Sequence, residues 1–164
     1  MPAPNAEPKV RSSEATVSTP TDLEIVITRA FRAPRSLVFE AWTKPEHVAH
    51  WWDPDGHALD QCEIDLRTEG AFRFVHAGER GHTFGGVYRE IKRPDRIVFA
   101  TPTQSGGERT GTLEFRERDG VTTLTMTIAC ETKADRDQML RIGVADGTQR
   151  TLENLANYLQ RQQR

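Results

Sequence analysis

Hydrophobic and polar positions change their period along the chain, and each change marks a different kind of element. Apolar residues first recur at Leu23, Ile25, Ile27 and Phe31 with mixed residues between them, the period of a half-buried strand. Pro34 follows, where the first turn of a helix tolerates a missing N–H, and Leu37, Val38, Ala41 and Trp42 then take the spacing of one helical face. Thr43 can cap a second short helix that opens with Lys44, Pro45 and Glu46 and carries Val48, Trp51 and Trp52 before Asp53-Pro54-Asp55-Gly56 forces a turn. Alternation returns from Asp60 to Cys130 and predicts strands over 60–67, 71–76, 83–92, 97–101, 110–118 and 121–130. Turn residues break them: Glu69-Gly70, Gly78 with Gly81, Pro94-Asp95, Ser105-Gly106-Gly107 and Asp119-Gly120. An Asp-Gly pair between alternating strands is the signal of a two-residue hairpin, so these strands read as an antiparallel meander. Beyond Glu131, Met139, Ile142, Leu152, Leu155, Ala156 and Leu159 fall at helical spacing, which predicts one long C-terminal helix.

These elements define an α+β layout in which a curved sheet wraps around the last helix. Leu113 and Phe115, then Leu124, Met126, Ile128 and Cys130, put one apolar face on each of the last two strands. Gly143 and Gly147 lie one turn apart in the predicted helix, and each interior glycine costs about 1 kcal/mol relative to alanine. Either the helix approaches the sheet closely there, or the missing side chains leave a cavity.

Composition narrows the class. The chain has 164 residues, the size of a single domain. Its first 21 residues carry Pro2, Pro4, Pro8 and Pro20 among Ser, Thr and Ala without periodicity, so a disordered tail over 1–21 and one domain over 22–164 are expected. The tail lacks the apolar core of an export signal, and no stretch reaches the roughly 20 apolar residues of a membrane span. Twenty-two basic residues stand against 24 acidic ones in an even mixture, which gives no bulk attraction to nucleic acid or anionic lipid. Cys62 and Cys130 stand apart with no CxxC pair and read as reduced thiols in a cytoplasm.

Candidate chemistry is sparse. His47 and His50 have HxxH spacing, His57 follows six residues after Trp51, and His76 and His82 flank a predicted hairpin, but the segment lacks the spacing and the glutamate of a zinc-binding HExxH. No metal and no cofactor are expected. Ser36 and Ser105 offer no G-x-S-x-G elbow. Gly85-Gly86 and Gly106-Gly107 lack a phosphate-loop frame and mark a bulge and a turn. Of the strand-borne charges Glu63, Asp65, Arg67, Arg73 and Arg89, most are expected to be solvated or paired across strands, with one or two reaching a cavity.

The run Arg29-Ala-Phe-Arg-Ala-Pro34-x3-Val38-Phe39-x-Ala41-Trp42-Thr43-x-Pro45-Glu46-x4-Trp51-Trp52 resembles the opening signature of the family named for the activator of heat-shock protein 90 ATPase, a branch of the START-like (SRPBCC, birch-pollen-allergen-like) superfamily. The similarity continues through Asp65-Leu-Arg67-x2-Gly70, Gly86-x-Tyr88-x-Glu90-Ile91, Pro94-x-Arg96-Ile97, and Gly143 with Gly147 before Leu152-x2-Leu155. It spans about residues 23–160. The resemblance implies a helix-grip fold, in which an antiparallel sheet of six or seven strands curls around a long C-terminal helix after two short helices, with a hydrophobic cavity between sheet and helix. Family members usually carry an aromatic residue after the second helix glycine, where Thr148 stands here; this departure implies a wider or more polar pocket. The family takes its name from eukaryotic co-chaperones whose activity also depends on a separate N-terminal domain, which a 21-residue tail does not replace.

The function expected on this basis is binding of a small apolar or amphipathic molecule. Trp51, Trp52, Phe74, Tyr88, Phe99, Phe115, Met126, Met139 and Gly143 are the expected lining, with Tyr88, His76 and Arg73 as polar orienting groups. Two alternatives stay open: a hydrolase or cyclase using the same cavity, and an interaction module for a chaperone or a regulator. A homodimer also stays open; no nucleic acid or membrane partner is expected.

Overall fold

The computed structural model describes residues 15–78 and 82–164. The chain runs β1 (Thr16–Ser18), β2 (Glu24–Phe31), α1 (Arg35–Thr43), α2 (Pro45–Trp51), β3 (Gln61–Ile64), β4 (Ala71–Val75), β5 (Thr83–Lys92), β6 (Arg96–Pro102), β7 (Glu108–Arg118), β8 (Val121–Ala129), α3 (Lys133–Arg141) and α4 (Val144–Gln162). All strands join one antiparallel sheet in the order β1-β2-β8-β7-β6-β5-β4-β3. Alternation built it as the sequence predicted: β2 buries every second residue, β8 does so as far as Met126, and Asp119 and Gly120 both take positive φ, 53° and 78°, in the two-residue turn between β7 and β8.

Two differences from expectation bear on function. The first is at the start. Thr16–Ser18 lies within the segment expected to be disordered, yet it pairs with Thr28–Val26 as an eighth strand. Long-range polar contacts hold this segment down: Arg136 Nη1 donates to the carbonyl of Thr21 (2.7 Å) and Gln149 Nε2 to that of Ala15 (3.3 Å), and Ala15 packs on the core. Such contacts have no local sequence signature. The rest of the expected tail, residues 1–14, and the turn residue Gly81 lie outside the described residues.

The second difference is at the end. The predicted single helix is two, because Gly143 sits in the left-handed region (φ 89°, ψ 24°) and so closes α3 and opens α4. Its N–H donates to the Leu140 carbonyl, while its own carbonyl accepts from Gly147 N–H. Only α4 is the long gripping helix. It buries Leu152, Leu155 and Leu159 against the sheet, where Ile25, Ile27, Phe31, Phe115 and Leu124 come from the strands and Val38, Phe39 and Trp51 from α1 and α2. Burying each such side chain stabilises the fold by about 1.5–3 kcal/mol before chain entropy is counted.

Candidate ligand pocket

Toward the α3 end of the core the packing opens into a pocket of about 410 Å3. Its floor is the concave face of the sheet: Phe99 and Thr101 from β6, Arg109 and Gly111 from β7, Met126 and Ile128 from β8. Register explains this set, since Phe99 pairs with Gly111 and Thr101 with Arg109 across β6 and β7. The absence of a side chain at Gly111 is required, because a Cβ there would lie 2.2 Å from the Phe99 ring. The ring thus occupies the room that a β7 side chain would take.

The roof comes from Met139 of α3 and from Val144, Gly147, Thr148, Thr151 and Leu152 of α4. A Cβ on Gly147 would meet nothing within 4 Å, so here the missing side chain does leave space. One end is aromatic. Trp52 stacks on Phe84 (centroids 5.1 Å apart) and meets Trp42 edge-on (6.1 Å). Two hydrogen bonds from α4 fix this end, Thr151 Oγ1 donating to the Trp52 carbonyl (3.1 Å) and Asn154 Nδ2 to that of Asp53 (2.8 Å).

Of the expected lining residues, Trp52, Phe99, Met126 and Met139 face the pocket. The others do not. Trp51 is fully buried in the core with Nε1 donating to the Ala41 carbonyl (3.0 Å), and Phe115 packs on Phe39. Phe74 packs against Trp52 and Phe72 outside the wall, and Tyr88 packs on Phe72. Gly143 is replaced in the wall by its neighbour Val144. Among the polar groups expected, His76 is in the wall. Tyr88 is buried away from it, and burial raises its hydroxyl above the ordinary range. Arg73 lies on the opposite, exposed face of β4 and donates to Gln61 Oε1 (2.7 Å).

The polar residue that sequence reasoning passed over is Arg109. It continues the inward series of Gly111, Leu113 and Phe115 by one step, and that alternation could have found it had β7 been extended by two residues. Its guanidinium forms a bidentate pair with Asp135 in the first turn of α3, Nε to Oδ2 at 2.8 Å and Nη2 to Oδ1 at 2.7 Å. The hydrogen bonds and charge of Arg109 hold the Asp135 carboxyl below its ordinary value. Beside this pair, Cys130 Sγ donates to Met139 Sδ (3.6 Å), and burial pushes the Cys130 thiol up to about 11. At the far wall, His76 Nδ1 lies 4.0 Å from Asp53 Oδ1, a carboxylate oxygen that already accepts the Asp55 N–H.

His47 and His50 face away from this site. His47 Nδ1 hydrogen-bonds to Tyr158 OH, and His50 stacks on the same ring. Among the described residues no group of three or more His, Cys, Asp or Glu side chains is placed to hold a metal ion. Cys62 and Cys130 are both free.

An open antiparallel sheet curled around a long C-terminal helix, with two short helices inserted after an early strand, is a helix-grip. Over residues 32–160 the chain matches the family described as Activator of Hsp90 ATPase homolog 1-like protein, and it belongs to that family. Solved structures share the fold. A protein from Nitrosomonas europaea is 22% identical with a TM-score of 0.78, covering 88% of this chain and 99% of its own. One from Rhodobacter sphaeroides is 23% identical with a TM-score of 0.79, covering 89% and 97%. One from Staphylococcus epidermidis is 25% identical with a TM-score of 0.75, covering 90% and 94%. No functionally curated protein matches the chain. No helix among the described residues is long and apolar enough to cross a membrane.

Proposed function

We propose that this protein binds a small, largely apolar molecule between the sheet and helices α3 and α4. The observation that carries this reading is the pocket of about 410 Å3, which falls in the size range of small-molecule sites and has the composition of one, mostly aromatic and aliphatic with a few polar groups. The two free thiols accord with a reducing compartment, and the cytoplasm is part of this reading. Native mass spectrometry of freshly purified protein and titration with an apolar fluorescent dye test it. Saturable dye binding that a co-purified small molecule displaces is the expected result. A protein that carries no molecule and binds no dye would overturn it and favour an interaction module.

A hydrolytic or cyclising enzyme is the second reading, and His76 beside Asp53 favours it. A histidine in an apolar wall with a carboxylate oxygen 4.0 Å away is within one small shift of the hydrogen-bonded pair that a general base uses. Turnover of the identified ligand, lost in His76→Ala, separates this reading from simple binding.

A further inference from the structure

The pocket wall is apolar except at a few points, and those points are biased. Its charged groups are Arg109, always cationic, and His76, cationic when protonated; no carboxylate lines it. Trp42, also in the wall, buries its indole Nε1–H without a hydrogen-bond partner. Beside the hydroxyls of Thr101, Thr110, Thr148 and Thr151, the charged side chains of the wall are therefore basic ones only, and the unpaired Trp42 donor is a standing cost that an acceptor would relieve.

Arg109 is not spent. Asp135 engages Nε and Nη2, which uses two of the five N–H donors of a guanidinium. Asp135 itself belongs to α3 and does not line the pocket.

We infer that the pocket receives an apolar molecule ending in a carboxylate, with Arg109 as the receptor of that group and Asp135 as the internal carboxylate that engages Arg109 in this structure. This rests on the reading of the pocket as a ligand site and adds the chemical class of the ligand. The planar guanidinium fork matches a carboxylate in two parallel hydrogen bonds, as its geometry with Asp135 already demonstrates. An incoming carboxylate either takes the remaining donors or displaces Asp135, which then moves to solvent at the exposed side of α3. A neutral amide of the same shape can accept a hydrogen bond there but lacks the charge and the second acceptor oxygen of the bidentate pair. The aromatic end at Trp52 and Phe84 selects a flat apolar body, and the cation at the other side selects the acid.

The test uses two probes of one shape, naphthalene-2-carboxylate and naphthalene-2-carboxamide, titrated calorimetrically into the full chain at neutral pH. The carboxylate should bind about tenfold or more tighter, the ordinary advantage of a charge-assisted pair. Arg109→Gln should abolish the preference, leaving the two probes with equal affinity, and a cooperative melting transition of the variant shows that it is folded. Arg109→Lys, which keeps the charge and loses the fork, should retain part of it. Asp135→Asn removes a carboxylate that competes with the ligand in one arrangement and repels it in the other, and should tighten carboxylate binding severalfold relative to the amide. Equal affinities in the parent, a preference that survives Arg109→Gln, or an Asp135→Asn protein with no gain would overturn the inference while leaving the pocket as a ligand site. Failure of both probes to bind the parent would overturn both readings.

Discussion

A leucine at position 147 has room to point into the pocket, since a Cβ there meets nothing within 4 Å. Gly147→Leu replaces a helical glycine and fills open space, so stability should hold or rise by up to about 1 kcal/mol, while affinity for an apolar dye falls; urea unfolding and dye titration read the two effects. Gly143→Ala should do the opposite. At φ 89° a side chain costs about 1–2 kcal/mol, with no pocket residue touched and dye binding kept. Gly111→Ala drives a methyl into the Phe99 ring and should cost about 1–3 kcal/mol by overpacking. In the sequence, Gly143 and Gly147 look like two equivalent interior glycines. Only the backbone angle separates a helix break from a wall vacancy, and the angle at Gly143 is set by how α3 and α4 meet the sheet. Likewise Trp51 and Trp52 are adjacent and chemically identical, yet the rotation of roughly 100° between consecutive helical positions at the end of α2 sends the first into the core and the second into the pocket.

At the scale of elements, the segments whose period is set locally were legible, and those set by distant partners were not. Strands β2 to β8 and helices α1 and α2 follow from alternation, proline and the Asp-Gly turn; β1 depends on Arg136 and Gln149 from the far end of the chain. Deleting residues through Ser18 removes β1 and its pairing with β2, and the melting temperature should fall by about 2–4 °C or more, the shift that about 1 kcal/mol produces in a domain of this size. Helix α3 is the weakly anchored element: Arg136 is its buried residue, and the Asp135–Arg109 pair ties it to the sheet. Because the carboxyl of Asp135 is held below its ordinary value of 3.8, the pair's contribution is present above that value and is lost as pH falls through the depressed one. Hydrogen exchange of α3 amides should accelerate in that window relative to α4, and the Asp135→Asn protein should show no such step.

The whole molecule has its own pH dependence at the alkaline end. Burial pushes Cys62 and Cys130 from 9.0 up to about 11, with the charge of Glu46 adding to the effect at Cys62 and Asp135 at Cys130. An unfolded chain ionises these thiols first, so stability is intact below pH 9 and declines as pH rises toward 11. Replacing both cysteines with alanine should flatten that decline, as followed by chemical denaturation at each pH. Alkylation of the native protein near pH 8 should be slow for the same reason, the thiolate being the reactive form.

The break at Ile142 and Gly143 has a kinetic consequence. A helix running unbroken from Lys133 to Gln162 would close the pocket with the same rigid rod that grips the core. Divided at Gly143, the roof is shared between two helices, Met139 coming from α3 and the rest from α4, so a bound molecule can exit by the parting of α3 while α4 keeps its grip. Residence time is then capped by the opening of α3 rather than by how tightly each occupant is held. Chemically different occupants chased with excess competitor should converge on one slow limiting rate, and weakening the tie of α3 to the sheet should raise that limit for all of them together.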